Sequence, residues 1–466
     1  MRRWRKGGVT IFVSLMMAVL LGFLQICLQS AQNALRRSQT EEALELAEAS
    51  VLSEYHRELL ERYDVFYLDL SYGSEVEDTE YLKHRMREYL NVNLPAGETM
   101  ALEISEISRA TDEKGLGFYE QAVSYVKQKT GVSVIEEMQQ YKALGFQGAE
   151  EEAVYEAREA EERSNLEELK RRRRDEEELG TEDPTTELER VKNSSLLQLI
   201  LEEPERISGK KAESGQMPSA RQNLPGAGSR GIQKPNAGND AFFHQYLKEH
   251  FTKATDFLAG DQEPGEWLDY QLEYVIAGKE TDIENLESVC GRILALREGV
   301  NYAYLLTDGE KVAECEALAA SLVGATLIPG LVEAMKQVLL LSWAFVESVM
   351  DLRRLLQEKR VTFWKSSDTW KTSLAEVLEL GNGMEGAETD GDGQGLLYAD
   401  YLMILLTLET RGNKTGRSLD VIEGSIRGRT GGNHFYLDQC ADGFRMRTVI
   451  LNGQEWTAWR WVCYEW

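Results

Sequence analysis

Residues 9–28 read Val-Thr-Ile-Phe-Val-Ser-Leu-Met-Met-Ala-Val-Leu-Leu-Gly-Phe-Leu-Gln-Ile-Cys-Leu, and none of them is charged. About 20 mostly apolar residues, rising 1.5 Å each along a helix, cross the roughly 30 Å hydrocarbon core of a bilayer. Before them come Gly7-Gly8 and a basic tip, with Arg2, Arg3, Arg5 and Lys6. Basic residues beside a span favour the cytoplasmic side. The sequence therefore predicts a single-pass protein of the cell membrane, its N-terminus cytoplasmic and its bulk extracellular. A cleaved secretory signal is the competing reading. Its apolar region is only about 7–15 residues long and precedes a small-x-small site. The run here is longer, and Ser30-Ala31-Gln32 offers no clean site.

Working outward, Leu44, Ala47, Val51, Tyr55, Leu59, Tyr63 and Phe66 recur every three or four residues, the spacing of one helix face. Glutamates 41, 42, 45, 48, 54, 58 and 61 fill the other face. The pattern predicts a stalk helix continuing the span to about Arg62, with Val51, Tyr55, Leu59, Tyr63 and Phe66 as its packing face.

The stretches around Gly8-Val9-Thr10-Ile11-Phe12, Leu52-Ser53-Glu54-Tyr55 and Glu61-Arg62-Tyr63-Asp64-Val65-Phe66 resemble an uncharacterised family of bacterial membrane proteins. So do Ala277-Gly278-Lys279-Glu280, Leu341-Ser342-Trp343-Ala344-Phe345 and Leu397-Tyr398-Ala399-Asp400 in the second half. The resemblance implies a Gram-positive context beside Tad-type pilus or type II secretion-like machinery. The N-terminus is similar to TadE/TadG-like minor pilins. It implies Gly8 and Val9 as the processing position, and pilin-like or assembly-platform proteins as partners. Prepilins usually carry Glu five residues after the cleaved Gly; here Val13 stands there.

With 466 residues and a net charge of −27, the chain has length for two or three domains and no basic surface for nucleic acid. Its fold class reads as mainly α with a small C-terminal β region. The expected order is a cytoplasmic tip (1–8), the span (9–28), the stalk (29–66), a small mixed region (67–148), a charged helical region (149–207), a disordered linker (208–240), a helical domain (241–412) and a C-terminal helix with a β-hairpin (413–466). The linker rests on Pro218, Pro225, Pro235 and repeated Gly, Ser and Asn. The hairpin rests on Asn452-Gly453 between aromatic and β-branched runs. Within the helical domain, 282–322 reads as two helices broken near Gly299, and 338–346 as a buried core helix too short to span.

No catalytic constellation stands out, so no enzymatic activity, cofactor or resident metal is expected. Gly381-Asn382-Gly383-Met384-Glu385-Gly386 follows a helix rather than a strand, which removes it from the dinucleotide motif. The loop from Asp390 to Gly395 resembles the start of a calcium-binding loop, but Tyr401 stands where a bidentate Glu belongs. Arg171 to Arg174 lie between acidic blocks and read as a solvated helix. Outside the span, Cys290, Cys315, Cys440 and Cys463 permit up to two disulfides in an oxidising exterior. The leading expectation is a structural component of a Tad-type pilus or secretion assembly. The alternative is a surface binding module using the C-terminal aromatics on a glycan or a protein.

Overall fold

The computed structural model describes residues 7–94, 98–131, 133–174, 195–201, 203–229, 231, 233–258, 262–265, 267–323, 330–378, 393–429 and 434–464. The basic tip, the 381–386 glycine motif and positions 390–392 of the calcium-like loop lie outside these residues, as do the side chains of Arg171 to Arg174. The protein is mainly helical with one small antiparallel sheet, and it divides into two units. Unit 1 comprises residues 1–118, 223–231 and 434–466; unit 2 comprises 119–222 and 232–433.

Unit 1 opens with α1 (Gly7–Leu52) and α2 (Arg57–Tyr63). The predicted stalk is thus interrupted at 53–56. His56 takes an extended backbone and its ring nitrogen accepts the Leu59 amide hydrogen, which starts a new helix. Its own N–H donates to the Tyr67 carbonyl at 2.8 Å, tying the break to the chain beyond α2. The three-to-four spacing survives the break because Val51, Leu59 and Tyr63 all point inward. Next come β1 (Leu68–Asp69), α3 (Thr79–Asn93) and β2 (Glu98–Arg109); the chain returns at its end as β3 (Cys440–Leu451) and β4 (Glu455–Cys463).

The expected C-terminal hairpin is present, and it is the centre of the sheet of unit 1. β3 pairs antiparallel with β2 along one edge, and with β4 and the short β1 along the other. One sheet face carries Phe444, Met446, Ile450 and Val462 against α1 and α3, forming one core with Leu44, Ala47, Val51, Leu82, Met86 and Leu90. The aromatic-rich stretch therefore completes a sheet that includes β1 and β2, where hydrophobic patterning alone suggested a small β-hairpin or meander.

Unit 2 is helical. Its first helices are α4 (Leu116–Lys129), which begins in unit 1, and α5 (Ser133–Arg174). There follow α6 (Leu196–Ile200), α7 (Ala237–His250), α8 (Ala254–Leu258), α9 (Gln271–Ala277), α10 (Asp282–Thr307), α11 (Gly309–Val323), α12 (Leu331–Leu356), α13 (Leu374–Leu378), α14 (Tyr398–Leu408) and α15 (Arg411–Arg427). α5 packs against α7, α10, α12 and α14. It runs through the boundary expected at 148/149. Val134, Met138, Tyr141 and Tyr155 lie buried along it, and Gly145 and Gly148 fill the gap between the two tyrosines with close helix contacts.

The break expected near Gly299 is absent. α10 runs straight through Gly299, where the missing side chain lets the α5 backbone at Glu151 and Glu152 approach closely, and the break between the two expected helices falls at Asp308 instead. α12 is the buried core helix expected from 338–346, with Trp343, Val346 and Leu352 nearly inaccessible.

Residues 208–222 differ most from their compositional reading as disordered linker. They form a strap on unit 2: the Ser208 hydroxyl donates to Asp282 at 2.6 Å, the Ala212 amide to the Glu280 carbonyl at 2.7 Å, and the Ser219 amide to Asp420 at 2.8 Å. Arg221 makes a two-pronged pair with Glu423. Residues 223–231 belong to unit 1, where the Gly228 amide donates to Asp112 at 2.9 Å and the Ala227 amide to the Ile107 carbonyl at 2.7 Å. Polar, glycine-rich composition signals a poor core former, but side-chain and backbone hydrogen bonds can order such a segment.

Candidate functional site: the two-part first helix and a buried ionic centre

α1 has two parts with opposite surroundings. From residue 8 to 39 every position except Asn33 is exposed, and the run 9–28 leaves large apolar side chains such as Phe12, Leu20 and Phe23 more than half accessible. Soluble proteins do not leave so long an apolar surface uncovered. α1 is also the one described helix long and apolar enough to cross a membrane. From Thr40 onward the inward face is closed: Thr40, Ala43, Leu44, Ala47 and Val51 are 0–2% accessible.

Polar contacts fix how β4 lies along this second part. The Asn452 side-chain amide donates to Thr40 Oγ1 at 3.3 Å, near the start of the buried part. Arg460 reaches Glu45 at 3.4 Å and Glu48 at 3.5 Å, midway. The Tyr464 hydroxyl donates to the Leu52 carbonyl at 2.8 Å, at the helix end. β4 and α1 thus run in the same direction, and the β3–β4 turn is the end of the sheet nearest the exposed apolar run. Gly453 in that turn has φ +78°, a conformation that favours glycine, and the Arg36 guanidinium lies over it.

Among the packing-face residues, Val51, Leu59 and Tyr63 are spent inside unit 1. Tyr55 and Phe66 sit at its surface as an edge-to-face pair 5.4 Å apart, with Phe66 also beside Tyr464 at 5.6 Å. Val9 is exposed on α1, and a side chain at Gly8 would meet open space. The outer face of the sheet carries Trp459, 54% exposed, with the guanidinium groups of Arg445 and Arg447 5.5 and 5.7 Å from its ring centre. Those arginines pair with Glu106 and Glu103 on β2 at 2.9 and 3.1 Å.

The densest polar cluster was not legible in the sequence. Inside unit 2, Arg297 (α10), Glu347, Asp351 and Arg354 (α12) and Lys365 meet with almost no solvent contact. Lys365 donates to Glu347 at 2.6 Å and Asp351 at 2.7 Å; Arg297 donates to Asp351 at 2.7 Å. Burial pushes the Asp351 carboxyl up, but Lys365, Arg297 and Arg354 outweigh it and hold the group below its usual range. The remaining donors and acceptors hold irregular chain: Arg297 donates to the Phe363 carbonyl at 2.6 Å, and Glu347 accepts the Thr372 amide at 2.9 Å and hydroxyl at 2.8 Å. These contacts pin residues 362–372, which have little regular secondary structure. They leave the carboxylates committed to internal partners.

Among the described residues, no group of three or more His, Cys, Asp or Glu could hold a metal ion. Cys290, Cys315 and Cys440 are buried and Cys463 is half-buried. A shallow cavity of about 210 Å³ beside α6 and α12 is lined by Ile200, Leu201, Leu258 and Leu356, with Arg206 and Glu203 pairing at its rim.

The family described as a family of unknown function (DUF5702) matches residues 174–451, more than half of the chain. No curated protein and no solved structure matches it.

Proposed function

The chain belongs to the DUF5702 family of unknown function, and from the division of its first helix we propose a single-pass, membrane-anchored surface protein that acts as a pilin-like accessory subunit. Its setting is a Tad-type pilus or secretion assembly of a Gram-positive bacterium, with pilin-like or assembly-platform proteins as partners. The N-terminus is cytoplasmic, as the basic tip favours, and the bulk lies outside. The role is structural, without catalysis. One observation carries this reading: α1 is bare and apolar over its first part, and over its second it lies on an antiparallel sheet. That geometry gives a subunit a greasy rod for bilayer or neighbour and a folded head rigidly joined to it.

The test is the mature N-terminus, read by mass spectrometry of the membrane fraction, with co-purification of crosslinked partners. A chain starting at Val9 and carrying pilin-like partners supports the subunit role. A chain starting at Met1 supports a permanent anchor with a stationary role in the assembly. A start beyond Leu28 overturns both.

The second reading is a surface binding module. It draws on exposed Trp459 between two arginines on the sheet, an arrangement suited to stacking a sugar ring or a partner side chain. Binding of glycans to the full chain, lost in Trp459→Ala, would favour it.

A further inference from the structure

The uncharged run of this chain is longer than the span itself. Residues 7–35 carry no charge, and Arg36 and Arg37 are the first ionised groups after it. At 1.5 Å per residue that run measures about 43 Å. The hydrocarbon core alone needs roughly 30 Å, whereas a bilayer with its headgroup layers is about 40–45 Å thick. A helix whose Gly7 end lies at one headgroup layer therefore brings Arg36 and Arg37 to the other. Arginine is suited to that depth: its stem tolerates the interface and its planar head forks onto phosphate oxygens.

The sheet is tied to the helix at the same level. The Asn452 amide donates to Thr40 Oγ1, Arg36 packs over Gly453, and Leu451 beside the turn is 41% exposed. Leu35, one position before the arginines, is 60% exposed. Arg37 spends one nitrogen on Glu41 at 3.1 Å and keeps an accessible side chain. An apolar pair, two arginines and a hairpin turn thus lie at the depth of the phosphates.

Resting on the anchor reading, we propose that the β3–β4 turn is a second membrane contact. Leu35 and Leu451 enter the interface, and Arg36 and Arg37 hold phospholipid phosphates on the side that carries unit 1. A lone helix leaves its head free to tilt; a turn resting on the headgroups fixes the angle at which unit 1 stands. Leaving the bilayer, as incorporation into a filament requires, would break this contact as well as withdraw the helix.

The experiment uses the full chain in phosphatidylethanolamine–phosphatidylglycerol vesicles, with a benzophenone amino acid placed singly at Phe23, Leu451 or Val76. Val76 is 71% exposed and follows Glu75, whose carbonyl accepts from Gln439 beside the start of β3, the far end of the sheet. Irradiation followed by mass spectrometry reads lipid adducts. Adducts at positions 23 and 451 but not 76 are expected, with Arg37→Glu lowering the yield at 451 several-fold and leaving 23 unchanged. Adducts at 23 without 451 overturn the second contact and leave the anchor standing. No adduct at 23 overturns the anchor and the proposal together. An unchanged yield at 451 in Arg37→Glu overturns the phosphate assignment.

Discussion

Unit 2 buries carboxylates in two ways. Asp351 and Glu347 sit among Arg297, Arg354 and Lys365, so their charge is matched inside the protein. Glu273 on α9 is equally inaccessible, and no cation is among the main influences on its charge. One of its oxygens accepts the Ala254 amide at 2.9 Å and the Tyr398 hydroxyl at 2.9 Å, and the other has no hydrogen-bond partner among the described residues. Burial pushes its pKa up to about 7. Asp420 lies between these extremes: burial raises it to about 6, while the Ser219 amide and hydroxyl and the Tyr274 hydroxyl stabilise its charged form. Matched charge ties distant segments together; unmatched charge makes folding sensitive to pH. The first kind holds the irregular segment 362–372, and Glu273 holds the first residue of α8 through the Ala254 amide.

Breaking the matched site should have the largest effect. Arg297→Met or Lys365→Met removes one of the three cations that hold the two buried carboxylates, together with the hydrogen bonds it makes, and the expected loss is about 3–5 kcal/mol in urea unfolding. A loss under about 1 kcal/mol would mean that the cluster hydrates, and would erase the contrast with Glu273.

The unmatched site should respond the other way. Glu273 has a folded pKa near 7 against an ordinary value of 4.5, so the folded state binds the proton more tightly. Its stabilising contribution is complete below about pH 4.5 and is lost as pH rises through 7. Glu273→Gln, which keeps the shape and removes the titration, should match the parent near pH 4.5 and exceed it by roughly 1–3 kcal/mol at pH 8. Thermal melts across that range check this, and equal pH slopes in the two proteins would refute it.

The smallest effect is expected at Asp420. Ser219→Ala removes one hydroxyl but leaves the Ser219 amide and Tyr274 as donors. It should cost about 1 kcal/mol, read as a modest shift in urea midpoint. A loss approaching that of Arg297→Met would show that the strap at 208–222 folds cooperatively with α15.

These contrasts explain what could be read in the sequence. The long apolar part of α1 was legible because an uncharged run of 20 or more residues is a local signal. So were α12 and the β3–β4 hairpin, each carried by its own periodicity or turn chemistry. The ionic centre was not: Arg297, Asp351 and Lys365 look like ordinary surface charges until the helices bring them together. The break at His56 was masked because the turn and α2 keep the spacing of α1. The strap at 208–222 was hidden because Ser208, Ser219 and Arg221 are held by polar bonds to carboxylates far along the chain. Of the packing face, Val51, Leu59 and Tyr63 are buried within the chain itself.

The register of the sheet sets a timetable for synthesis. Glu98 pairs with Leu451, so the first long strand is made some 350 residues before its partner. At typical elongation rates of about 5–20 residues per second, that is a wait of roughly 20–70 s. Throughout that interval the apolar flank of α1 and the open edge of β2 have no native cover, while the uncharged run at 9–28 has long since emerged. A nascent chain in this state invites pairing with its neighbours. Truncation before Cys440 should therefore be far more harmful than the few residues lost suggest, because it removes the strand for which β2 has been waiting.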